Sequence, residues 1–144
     1  MGACFYLVRH AKAEPAGAGG DAARELTAAG RERFTRQARA VAAEARVTRI
    51  VTSPYARARQ TAGLLAAATG APVEEDQRLA SGAATGRQLL ALGSELGAGA
   101  ALVGHNPELA EAIRLAGGGD DVEVPPGAVA AIEVGGHLAW LRAR

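Results

Sequence analysis

The sequence predicts an α/β fold with a parallel core, on three observations. Phe5-Tyr6-Leu7-Val8 is an unbroken run of large apolar residues, which marks a strand buried on both faces in the middle of a sheet. Three strand-like runs end in polar residues ahead of helical stretches, at Arg9-His10, Ser53-Pro54 and Gly104-His105. With 144 residues, 49% of them hydrophobic, the chain can bury a sizeable core without disulfides or metals, so residues 1–144 are expected to form one domain.

Composition narrows the function. The net charge is +1, aromatics make up 3% of the residues and there is no basic tail, which argues against nucleic acid as the main partner. Lys12 is the only lysine, and the arginines suit bidentate capture of phosphate or carboxylate. Cys4 is the only cysteine, so no internal disulfide forms, and a buried inert thiol in a reducing cytoplasm is expected. Ala3 to Val8 is too short, and lacks the preceding basic segment, for a signal peptide. Met1-Gly2 is similar to a myristoylation start, but Tyr6 stands where Ser or Thr is wanted. No stretch is long enough to cross a membrane.

The first strand ends at Arg9-His10, where ligands of open α/β sheets bind. Ala11 to Asp21, rich in Gly and Ala, shows no period and reads as a mobile loop, with Lys12 and Glu14 close enough to His10 to line a site. Thr27 caps the next helix, whose buried stripe is Phe34, Ala38, Val41 and Ala45. Arg31, Arg33, Arg36 and Arg39 lie mostly off that stripe, on a solvated face. Val47 to Thr52 is a second strand. Ser53 then caps, and Pro54 opens, a helix with Tyr55, Ala58, Ala62 and Leu65 on one face and Gly70 as its stop. At about 100° per residue, Arg57 and Arg59 point opposite ways. Arg57, in the first turn, is the one that faces the strand ends.

Pro72 to Asp76 gives a short strand and an acidic turn, Leu79 to Gly86 is irregular, and a helix runs from Arg87 to Leu96. Ala100 to Val103 is a buried strand that delivers Gly104-His105, with Asn106 as cap and Pro107 inside a helix ending at Gly117-Gly118-Gly119. Two strands, Ala128 to Val134 and His137 to Arg142, flank a Gly135-Gly136 hairpin turn, and His137 borders it as a bystander.

If the three strands are neighbours, Arg9, His10, Arg57 and His105 converge with helix amino ends on one small volume. Such positive potential without local carboxylates calls for a multiply charged anion, phosphate above all. Zinc is the rival use of two histidines, but no close ligand set accompanies them and the arginines would repel it.

Leu7-Val8-Arg9-His10-Ala11, Ser53 through Ala62 and Val103-Gly104-His105-Asn106-Pro107 resemble the signatures of the histidine phosphatase (phosphoglycerate mutase-like) superfamily. Asp21 through Gly30 is most similar to its SixA-type phosphohistidine phosphatase branch. The resemblance implies a three-layer α/β/α fold around a mostly parallel mixed sheet, and a phosphotransfer site without metal or cofactor. By position, His10 is the nucleophile that becomes phosphorylated, and Arg9, Arg57 and a cationic His105 hold the phosphoryl oxygens, with Lys12 and Asn106 as further substrate contacts.

Two departures stand out. Ala11 replaces the usual glycine, and Leu79-Ala80-Ser81 carries no acid where one is expected, which leaves Glu14 or Glu108 as the proton donor. An imidazole leaving group, with a pKa of roughly 6.5, needs a fixed acid far less than an alkoxide does. The expected function is therefore dephosphorylation of phosphohistidine in a protein. A small-molecule phosphomonoesterase and a non-catalytic phosphate-binding module are the alternatives.

Overall fold

Strand β1 (Cys4–Arg9) sends alternate residues into two separate cores, which is why its sequence shows no polar face. The computed structural model describes residues 3–143, and the Met1-Gly2 start lies outside the described residues. Along the chain follow α1 (Ala28–Glu44), β2 (Arg49–Thr52), α2 (Ala56–Thr69), β3 (Val73–Glu75), α3 (Gly86–Leu96), β4 (Ala100–Gly104), α4 (Glu108–Ala116), β5 (Val129–Glu133) and β6 (His137–Arg142). The six strands form one sheet in the order β3-β2-β4-β1-β5-β6. Its first four strands pair in parallel, while β5 and β6 are antiparallel additions.

Tyr6 and Val8 of β1 pack with Phe34, Ala38 and Val41 of α1 and with Ala58, Ala62 and Leu65 of α2. Phe5 and Leu7 face the other way, onto Leu89 and Leu92 of α3 and Leu109, Ala112 and Ile113 of α4. Two helices on each face give the three-layer α/β/α arrangement.

Local chemistry sets most helix ends. The Thr27 hydroxyl accepts from Gly30 N at 2.8 Å, and Thr85 and Gln88 form a reciprocal capping box ahead of α3. Gly70 closes α2 with φ of 76°, a conformation that favours glycine.

Two starts differ from the sequence reading. Helix α2 begins at Ala56 with Tyr55 at the cap, although Ser53 Oγ still accepts from Tyr55 N and also contacts His105. Helix α4 begins at Glu108, after a cis Asn106–Pro107 peptide, although Asn106 Oδ1 still accepts from Ala110 N at 3.2 Å. The segment 11–21 is also not featureless. Bridges between Ala13 and Leu26 and between Gly17 and Gly20, and a 3₁₀ turn over Asp21–Ala23, fold it back across the sheet edge.

Register decides what comes next. Arg9 is level with Gly104, and Thr52 with Val103, so the ends of the adjacent strands β1, β4 and β2 stop side by side. His10 N donates to Gly104 O at 3.1 Å, and Ser53 N to Val103 O at 2.9 Å.

Gly93 of α3 lies against the fully buried Phe5, and a Cβ there would land on the ring. Gly93→Ala should cost about 1–3 kcal/mol through overpacking. Gly63, in the interior of α2, has open space at its Cβ position, and Gly63→Ala should stabilise by about 0.5–1 kcal/mol. Urea unfolding of the two variants should give opposite shifts in midpoint.

Candidate active site

His10 leaves β1 as a residue only 8% exposed. Its Nδ1 lies 2.7 Å from the Ala11 carbonyl oxygen, which can only accept, so Nδ1 carries the proton. The lone pair is then on Nε2, toward which Arg57 Nε donates at 3.3 Å. Burial, together with the charges of Arg57, Arg9 and Arg24, pushes the His10 pKa down to about 4, against the pull of the Ala11 bond. The ring is neutral at pH 7. The extra methyl of Ala11 is accommodated, since among the described residues no non-glycine has a positive φ.

His105 leaves β4 and meets His10 with ring centroids 5.2 Å apart. Its Nε2 lies 2.7 Å from Ser53 Oγ, which also accepts from Tyr55 N at 3.1 Å. Ser53 Oγ has lone pairs enough to accept from both, but among the described residues its own hydroxyl proton meets no acceptor other than Nε2; donated there, it leaves the ring proton on Nδ1, which is buried without a partner. Here the expectation of a cationic His105 is corrected. Burial, with the fields of His10 and Arg57, pushes its pKa down to about 3, so it offers one neutral N–H.

Arg57 is 4% exposed and Arg59 is exposed, as the helix geometry requires. The Arg57 guanidinium also stands 5.1 Å over the Tyr55 ring. Arg9 Nη1 donates to Val124 O at 2.9 Å, and its Nε is buried without a partner. The expected absence of carboxylates does not hold. Asp21 Oδ2 accepts from Arg57 Nη2, and its Oδ1 from Arg24 Nη1, both at 3.1 Å. These bonds, Arg24's first, hold the Asp21 carboxyl below the usual range.

The structure does not bring every expected residue to this cluster. Lys12 is exposed and lines a small cleft with Arg33, Phe34, Gln37 and Gly127, and Arg24 rather than Lys12 acts on His10. Asn106 uses both ends of its amide on backbone, Nδ2 donating to Val124 O at 3.0 Å, so it fastens the 122–126 segment beside Arg9. Glu14 is exposed, its backbone N donating to Glu25 O at 2.8 Å and its carbonyl accepting from Arg24 Nε at 2.7 Å. Glu108 is buried, Oε2 accepting from Gly82 N at 2.8 Å and Oε1 unpartnered, so it braces the loop that lacks the acid.

Three contributors were not singled out: Asp21, Arg24 and Thr61. The Thr61 hydroxyl accepts from Ala11 N at 3.0 Å and donates to Arg57 O at 2.8 Å, tying the exit of β1 to α2. All three lie in the quoted motif stretches, but only folding shows what they touch.

The family model of the histidine phosphatase superfamily (branch 1) matches residues 5–91. The chain belongs to the histidine phosphatase superfamily. Its fold is similar to that of the SixA protein of Agrobacterium tumefaciens, with a TM-score of 0.83, 25% identity, and coverage of 100% of this chain and 99% of that one. It is also similar to the protein histidine phosphatase SixA complexed with tungstate, with a TM-score of 0.80, 21% identity, and coverage of 96% and 95%. A phosphoglycerate mutase from Bacillus anthracis matches with a TM-score of 0.66, 15% identity, and coverage of 95% and 90%. Among curated proteins, no sequence matches significantly. Three buried side-chain polar atoms among the described residues have no hydrogen-bond partner: Arg9 Nε, His105 Nδ1 and Glu108 Oε1. Among the described residues, no helix is long and apolar enough to cross a membrane.

The two histidines also make stability depend on pH. The unfolded chain takes up protons near pH 6.5, while the native rings resist until about 4 and 3, so acid favours unfolding. The stability present above pH 6.5 should fall steadily as pH drops toward 4. Urea midpoints across that range should show this, and His105→Asn should flatten the slope.

Proposed function

We propose that the protein is a metal-independent phosphatase that works through a phosphorylated His10, and that its substrate is phosphohistidine in a protein. The observation that carries the reading is the His10 ring itself. It is buried, neutral and held in one tautomer, with the Nε2 lone pair beside Arg57 and the unpartnered N–H groups of His105 and Arg9 belonging to the same residue cluster.

In the first step Nε2 attacks phosphorus, and the bond from phosphorus to the leaving nitrogen breaks with its electron pair; the substrate ring, protonated from solvent on its other nitrogen, departs as neutral imidazole. Arg9, Arg57 and the His105 Nδ1–H take the equatorial oxygens, where the transition state gathers charge. Nδ1–H of His10 stays on the Ala11 carbonyl throughout, so phospho-His10 carries a cationic ring, itself a good leaving group. In the second step water attacks phosphorus, the P–Nε2 bond breaks, the water's proton goes to solvent, and His10 returns neutral. A leaving imidazole fits a site whose Leu79-Ala80-Ser81 loop holds no acid. The tungstate bound by a SixA of similar fold supports an oxyanion pocket. A soluble cytoplasmic location is part of the same proposal, as is a single domain over residues 1–144.

With an aryl phosphate, His10→Ala should lower turnover by about 10³-fold or more. Arg57→Ala should also lose activity, and Arg59→Ala should keep it. Equal rates for His10→Ala and wild type would remove the nucleophile. In a panel of phosphohistidine proteins and phosphorylated metabolites, kcat/KM should be highest for the former. Preference for a metabolite would make the protein a phosphomonoesterase, and binding of phosphate without turnover a phosphate-binding module.

A further inference from the structure

Arg57 divides its donors between two neighbours. Nε points at His10, whereas Nη1 donates to the Asp21 carbonyl at 2.7 Å and Nη2 to the Asp21 carboxylate at 3.1 Å. The terminal edge of the guanidinium is thus held by one residue, and the Nε edge is left toward the nucleophile. Asp21 is held in turn. Its other oxygen accepts from Arg24, whose Nε donates to Glu14 O at 2.7 Å, and Glu14 N bonds Glu25 O at 2.8 Å.

A carboxylate beside an anion pocket repels the ligand, so its presence calls for a compensating role. The Arg57 side chain is 5% exposed and that of Asp21 54%, so this is a partly open contact on a buried cation. Three guanidiniums, Arg9, Arg24 and Arg57, against one carboxylate leave a net of two positive charges around the neutral rings, opposite to a phosphoryl dianion.

We propose that Asp21 is a positioning residue. It grips the terminal edge of the Arg57 guanidinium so that the Nε edge meets the phosphoryl group as it transfers to His10. This rests on the phosphatase reading above. Thr61 fixes the backbone of Arg57 and Asp21 fixes its head, so the long side chain arrives already oriented. The 3₁₀ turn over Asp21–Ala23 then serves as the support that carries this grip.

A double-mutant cycle in the full chain tests it, with an aryl phosphate as substrate and inorganic phosphate as inhibitor. Asp21→Ala should lower kcat about ten- to a hundredfold, while KM and the phosphate inhibition constant stay the same or fall, because a repelling charge has gone. In the Arg57→Ala background, Asp21→Ala should change kcat less than twofold. A merely structural role would instead lower kcat by the same factor in both backgrounds, and that result overturns the proposal. If Asp21→Ala does not fold, Asp21→Asn replaces it. Its amide oxygen can serve one guanidinium but not two, so an intermediate kcat with unchanged KM is expected, and wild-type kcat overturns the proposal. Loss of activity in His10→Ala and Arg57→Ala but not in Asp21→Ala would sink this inference and leave the phosphatase reading standing. Full activity in all three would overturn both.

Discussion

Everything at the site depends on three parallel strands ending level with one another. β1 pairs with β4 and β4 with β2, with Arg9 opposite Gly104 and Val103 opposite Thr52. Residues far apart in sequence, at 10, 53 and 105, are thereby the next ones out along the same edge. Parallel pairing requires that each connection cross over through a helix, which also brings helix starts to that edge. A slip of one residue in either pairing would turn the end side chains to the opposite face. Both faces of β1 are buried, Phe5 and Leu7 in one core and Tyr6 and Val8 in the other.

Given that edge, hydrogen bonds to backbone and to small hydroxyls settle the chemistry. The Ala11 carbonyl selects the tautomer of His10, and Ser53 selects that of His105. Neither imidazole needs a carboxylate partner, and both remain neutral because the pocket is buried and ringed with arginines. Neutrality suits each proposed role: an available lone pair on one ring and a single directed N–H on the other. Positive charge comes from the guanidiniums, which stay ionised at any relevant pH.

The carboxylates are arranged with similar economy. Asp21 stands on Arg57 and Arg24, at the rim, while Glu108 turns to the backbone of Gly82. No acid stands at Leu79-Ala80-Ser81, and the adjoining Gly82 N donates to Glu108 Oε2.

From the residues alone one reads the sheet-centre strand, Thr27 and Gly70 as helix ends, Arg57 rather than Arg59 as the inward cation, and the four residues Arg9, His10, Arg57 and His105. These follow from periodicity, capping chemistry and motif spacing, which are local properties. Tertiary structure alone decided that Ser53 also reaches His105, that Asn106 and Lys12 turn elsewhere, and that Asp21 comes to Arg57. The Ser53–His105 and Asp21–Arg57 contacts span 52 and 36 positions of chain, and that of Asn106 with Val124 spans 18. Side chains with several available partners, such as a serine hydroxyl or a carboxylate, choose among them only once the fold has set the distances.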